Sequence, residues 1–216
     1  MAATRRMGAP ASKTRSDLLD TAERIMRDEG YAAVTSRRLA SCAGLSPQIV
    51  YYYFTTMDEL FEALFARLAE DLLAAIEAAA EADEPLLAMW ELSCDPSRAA
   101  IMAEFLTLSN HRKGLQTQIA TFGQAYNQQQ TAIVAATLAR KGLVLPDWPA
   151  DILASIFENL ARGFAFGDVF AIGSHVRARE HVTVMLEKLA GLGIPAGTVP
   201  ASLATPPKQR STHAPG

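Results

Sequence analysis

Residues 35–60 read TSRRLASCAGLSPQIVYYYFTTMDEL. Two short helical segments lie in this stretch, one running from Thr35 or Ser36 to Gly44 and one opened by Ser46 as N-cap with Pro47 at the first helical position. Neither is stable alone, because isolated helices below roughly 12 residues are marginal in water. A helix-turn-helix gives such a pair a reason to exist: the first helix braces the second, whose N-terminal residues meet base edges in the major groove of DNA. The residue types fit that demand, with Ala40 small where the helices cross, Gly44 offering the turn conformation and Val50 facing back to the core. Thr56 to Glu59 then forms a capping box that opens a long helix carrying Leu60, Leu64, Leu68 and Leu72 on one face.

Outward from this stretch the periodicity stays helical and no strand is expected. Thr14-x-x-Asp17 resembles a capping box for a first helix over 14–29, with Leu18, Ala22, Ile25 and Met26 as its apolar stripe and Gly30 ending it. Downstream of the long helix, Pro85 and Asp95-Pro96 signal two further helices with bodies over 86–93 and 97–109. A polar-faced segment over 111–141 follows, where Gly114 and Gly123 are candidate kinks. Trp148-Pro149 opens an apolar helix that fades at Ile172-Gly173, and Ser174 caps a last one reaching about residue 192. The expected fold is therefore all-α, with about nine helices. The domain pattern is a helix-turn-helix unit over 12–56 and a helical unit over 57–193, between tails at 1–11 and 194–216 whose composition does not support a packed core.

Composition narrows the function classes. The chain has 216 residues, half of them apolar, and a net charge of −3, enough apolar content to bury a core without staples. Residues 1–56 carry eight Lys/Arg against five Asp/Glu, whereas 57–216 carry twelve against eighteen, so contact with a polyanion falls to the N-terminal part. No apolar run is long enough to span a membrane, and no signal-like apolar region follows Arg5 and Arg6, so the expectation is a cytoplasmic protein with no membrane partner. Cys42 and Cys94 lie in apolar helical segments and read as buried, reduced thiols. The four histidines (111, 175, 181 and 213) form no i, i+4 pair and have no cysteine partner at zinc spacing; phosphate-loop, dinucleotide and nucleophile-elbow glycine motifs are absent. No metal, no cofactor and no catalysis are expected.

The Ala40-x-x-x-Gly44-Leu45 turn, the aromatic run before Phe54 and Glu59-Leu60 at the start of the long helix resemble the DNA-binding domain of the TetR family of bacterial transcriptional regulators. The resemblance covers roughly residues 14–65; beyond it only length and helical pattern agree. It implies that Thr35, Ser36, Arg37 and Arg38, at the start of the second helix, contact phosphates, and that Ser46, Pro47, Gln48, Ile49 and Tyr52 face the groove. Tyr51 and Tyr53 would reach backbone oxygens. Gln48 suits a bidentate contact with adenine and Ile49 a thymine methyl. Met57 departs from the family, which commonly has Lys there; Arg5, Arg6, Lys13 and Arg15 compensate in charge.

The same resemblance implies a palindromic double-stranded operator bound by a homodimer, built from the last two helices. Ile152, Ile156, Leu160 and Phe164 make one stripe there, and Val176, Val182, Met185, Leu186 and Leu189 another. A small, largely apolar effector would sit among Met89, Trp90, Met102, Phe105, Leu108, Phe122, Tyr126, Phe157 and Phe166, with Asn159, Arg162, Asn110 and His111 as candidate anchors. The function so implied is an effector-released repressor. The alternative is a helix-turn-helix protein controlled by a protein partner or by no effector.

Overall fold

The structure, a computed structural model, describes residues 12–172 and 176–191. Among these the regular elements are nine α-helices and one 3-10 turn. They are α1 Lys13–Glu29, the 3-10 turn Tyr31–Ala33, α2 Ser36–Ala43, α3 Pro47–Tyr53, α4 Met57–Ala80, α5 Pro85–Ser93, α6 Pro96–Ser109, α7 Lys113–Arg140, α8 Ala150–Val169 and α9 Val176–Gly191. The tails, the Ser174 cap and the Leu189 side chain lie outside the described residues.

The N-terminal helices form because each has an apolar stripe and a stop. Leu18, Ala22, Ile25 and Met26 of α1 are buried at helical spacing, and the helix ends where the Gly30 N–H bonds the Met26 carbonyl. Its start differs from the sequence expectation: Ser12, not Thr14, is the N-cap, its hydroxyl accepting from Arg15 N at 3.2 Å. α2 is capped by the Thr35 hydroxyl and closed by Gly44 in the left-handed region at φ 67°. α3 starts at Pro47 without a side-chain cap from Ser46, because the Ile49 N–H that such a cap would take bonds the Ser46 carbonyl instead, at 3.0 Å. Half of the expected capping box of α4 forms: Thr56 accepts from Glu59 N, but the Glu59 carboxylate accepts at 2.6 Å from the N–H of Thr55, the residue before the cap, and not from Thr56.

α7 runs uninterrupted through Gly114 and Gly123. A helical glycine costs about 1 kcal/mol relative to alanine. Burial of Leu115, Tyr126, Ile133 and Val134 along α7 offsets that cost, so neither glycine kinks it.

Three apolar clusters hold the chain together. The first packs α1–α3 and the start of α4 around Leu18, Leu39, Val50, Phe54 and Leu64, and also takes in Ile101, Phe105 and Leu108 of α6 and Leu115 of α7. The second joins α4, α5, α7 and α8 through Ile76, Met89, Tyr126 and Ala154. The third centres on Trp90, whose ring meets Phe157 and Phe164 edge-on and whose Nε1 donates to Thr183 Oγ1 at 2.9 Å, tying α5 to α9. Phe164 and Leu186, from the two stripes of the last helices, are spent in this cluster. Cys94 is buried there and Cys42 is only half-buried, so the expectation of two buried thiols holds for one; both are free.

Candidate DNA-reading face and effector cavity

α3 buries Val50 completely, and Phe54 just beyond it is also in the core. One buried residue in seven leaves the rest of the helix on the surface: Ser46, Pro47 and Gln48 are exposed, Tyr51 and Tyr52 are 41% and 44% exposed, and Ile49 and Tyr53 are half-buried. Tyr53 stands edge-on to Tyr52 at 5.0 Å between ring centroids, and Tyr51 OH lies 3.2 Å from Ser36 Oγ, which fastens α3 to the start of α2. Thr35 and Arg37 are exposed on either side of Ser36, which the Tyr51 contact brings beside α3.

The two arginines of this surface are not equivalent. Arg38 donates to Glu29 at 2.6 Å, and that hydrogen bond, ahead of charge attraction, raises its pKa further above the ordinary value. Arg37 is exposed and makes no ion pair among the described residues. Arg15, assigned by sequence to the basic tail, lies over the Phe54 ring at 4.9 Å, and Met57 packs against the N-terminal core instead of standing free.

Long-range contacts that no local pattern announces join this reader to the rest of the chain. Glu104 of α6 accepts from Tyr31 N at 2.7 Å, Arg27 donates to the Ser97 carbonyl at 2.8 Å, and Arg112 pairs with Asp58 at 2.6 Å while lying over Phe61. Arg67 of α4 pairs with both Asp20 and Glu23 of α1.

A cavity of about 290 Å³ lies between α4, α5, α6, α7 and α8. Of the sequence-predicted residues, Met102, Phe122, Tyr126, Asn159, Phe166 and Arg162 line it. Met89, Trp90 and Phe157 pack into the second and third clusters, Phe105 and Leu108 into the first, and Asn110 and His111 are exposed at the α6–α7 junction; none of these seven lines the cavity. Its polar wall was not anticipated: Ser93, Asn127, Gln130, Ser155 and Glu158. The signal was present, since 123, 126, 127 and 130 on α7 and 155, 158, 159, 162 and 166 on α8 each follow three- and four-residue spacing.

In that wall Gln130 Nε2 donates to Glu158 Oε2 at 2.7 Å, Arg162 donates to Glu158 Oε1 at 2.7 Å, and the hydroxyls of Tyr126 and Ser93 lie 3.3 Å apart. Burial pushes the Tyr126 phenol up to about 12, so it stays protonated, and the same cause pushes the nearby Cys94 thiol up to about 12. No metal-binding cluster of His, Cys, Asp or Glu occurs among the described residues.

The family model for bacterial regulatory proteins of the tetR family matches residues 18–64, the segment that builds the reader and the first turns of α4. The HTH-type transcriptional regulator BetI of Rhizobium meliloti is 36% identical over 83 residues, covering 37% of this chain and 41% of that protein. The HTH-type transcriptional repressor AcnR of Corynebacterium diphtheriae is 29% identical over 159 residues, covering 71% of this chain and 80% of that protein. Residues 18–64 thus form a TetR-family DNA-binding segment. The chain's similarity to solved structures extends the fold beyond the reader: a transcriptional regulator from Saccharomonospora viridis in complex with choline superimposes with a TM-score of 0.69 at 19% identity, covering 83% of this chain and 96% of that one. The relatives that share this segment are DNA-binding transcriptional regulators. None of the described helices of this chain is long and apolar enough to cross a membrane.

Proposed function

We propose that this chain is a repressor that binds a palindromic operator as a homodimer and is released by a small effector. The observation that carries the reading is the surface of α3: one buried residue, Val50, anchors the helix, and Gln48, Tyr51 and Tyr52 are exposed, as are Thr35 and Arg37. In this reading Gln48 and Ile49 meet base edges with Ser46, Pro47 and Tyr52 alongside; Thr35, Ser36 and Arg37 hold phosphates, joined by Arg38, Tyr51 and Tyr53.

Dimerisation is supported by α8 and α9, which expose Ile152, Ile156 and Leu160 at four-residue steps together with Val176, Val184 and Met185. Effector control is supported by the cavity and by α6. One side of α6 lines the cavity through Met102 and Arg98, and its other side holds the reader through Glu104 and Ser97. A ligand that moves α6 therefore shifts the reader. The choline held by the Saccharomonospora viridis relative is consistent with a small molecule in this fold.

The test is selection of genomic fragments by the purified chain, followed by gel shift of the enriched sequence with candidate effectors. A two-fold symmetric site, bound by two chains and released by a compound that also raises the protein's Tm, supports the whole reading. Indifference to every duplex at low salt removes the DNA assignment, and release without thermal stabilisation removes the effector.

A further inference from the structure

Resting on the effector reading of this cavity, we propose that its ligand is an uncharged molecule with an apolar body and a hydrogen-bond-donating head, an amide or an alcohol, whose donor sits on Oε1 of Gln130. Gln130 is 1% exposed in the middle of α7 and lines the cavity. Its Nε2 donates to Glu158 Oε2 at 2.7 Å and, at 3.4 Å, to Ser93 Oγ. That fixes the amide, because the flipped orientation would bring two oxygens to 2.7 Å of each other. Oε1 is consequently the atom that takes no part in that pair, and it is buried with no hydrogen-bond partner among the described residues. A buried amide oxygen with no donor has lost its hydration for nothing in return, a state that a donor on a ligand relieves. Two other glutamine oxygens, of Gln118 and Gln129, share that state, but neither residue lines this cavity.

Charge on the walls decides the rest. Among the described residues four ionised side chains line the cavity, and they are paired among themselves: Arg98 with Asp95 at 3.1 Å and Arg162 with Glu158 at 2.7 Å. The lining is thus neutral and offers no unpaired charge. An anionic head would meet the Glu158 carboxylate and the Gln130 oxygen; a cationic head would meet two arginines already committed to those carboxylates. Either ion must break a pair or lose water uncompensated. A neutral head meets Gln130 Oε1 and the hydroxyls of Ser93 and Tyr126, while Leu72, Met102 and Phe122 cover its apolar body.

The experiment titrates the full chain with three six-carbon probes that differ only at the head, namely hexanamide, hexanoate and hexyltrimethylammonium, reading Kd by calorimetry and Tm by thermal shift. Two variants accompany the wild type. Gln130→Met removes the acceptor, and Gly123→Phe adds a ring at a lining position where a Cβ meets no atom within 4 Å. Hexanamide should bind at least about tenfold more tightly than either ion, Gln130→Met should weaken it roughly five- to tenfold without weakening hexanoate, and Gly123→Phe should weaken all binding. If an ion binds the wild type better than the amide, and Gly123→Phe abolishes that binding, the ligand class is wrong and the cavity reading stands. Hexanamide binding untouched by Gln130→Met overturns the assignment of the acceptor. If no probe binds, or if binding ignores Gly123→Phe, the cavity is not the effector site and both readings fall. Should Gln130→Met not fold, the ranking of the three heads on the wild type decides.

Discussion

Arg38 commits its guanidinium to Glu29 at 2.6 Å, and Arg37 makes no ion pair among the described residues, so one of two adjacent cations is free for a phosphate. Both partners of the pair are substantially exposed, so it contributes little to stability. Its consequence is for binding. Arg37→Ala should lower the slope of log K against log salt by about one unit, as loss of one phosphate contact does. Arg38→Ala should lower it by less, and Glu29→Gln, which releases Arg38, should raise affinity at low salt; operator titrations across a salt series measure all three. The sequence displayed the Arg37-Arg38 pair as basic but not its division, because Glu29 is nine residues upstream across a corner at Gly30. A second contrast concerns the thiols. Burial holds Cys94 protonated up to about 12, and Cys42 is only half-buried. Iodoacetamide at pH 8 should therefore modify Cys42 well before Cys94, as peptide mapping would report; equal rates would contradict the packing around Trp90.

Among the elements, two glycines show why local pattern decides some boundaries and not others. Gly44 closes α2 at φ 67° and a Cβ there meets no atom within 4 Å, so substitution by alanine is penalised by backbone conformation alone. Gly123 lies inside α7 with equally open space around it. The same change should then have opposite signs. Gly44→Ala should destabilise by about 1–2 kcal/mol, and Gly123→Ala should stabilise by up to about 1 kcal/mol. For a chain of this length, each 1 kcal/mol moves Tm by roughly 2–4 °C, readily seen by calorimetry. Gly44 was legible as a stop because the helices on both sides are too short to continue through it. Gly123 also read as a break, and only the packing of Tyr126, Ile133 and Val134 across α7, a tertiary fact, keeps the helix whole. The cavity was half legible for a similar reason. Aromatic and methionine residues marked the region, but whether each faces the void or a core depends on helix rotation. Trp90, Phe105 and Phe157 turn into cores, and the glutamine and glutamate of the wall look, in sequence, like any residues of a solvated helix face.

At the scale of the molecule, the first 56 residues carry three excess positive charges and the remaining 160 six excess negative ones. An operator therefore attracts one end of the chain and repels the other, which leaves the far helices free to join two copies. The stripes on α8 and α9 were readable as apolar, and the structure divides them: Phe164 and Leu186 are buried within the chain, whereas Ile152, Ile156 and Leu160 are 46%, 47% and 39% exposed. That division makes the proposed dimer separable from the fold. Ile156→Glu places a charge where no core contact exists, so the thermal midpoint of the isolated chain should change little, while two carboxylates brought together in a symmetric interface repel and lose water. Sedimentation should show a monomer, and operator affinity should fall by about two orders of magnitude or more, because each reader then binds its half-site without the effective concentration that its tethered partner supplies. A variant that stays dimeric with full affinity would move the interface off α8. One that unfolds would mean that Ile156 supports its own subunit despite its exposure.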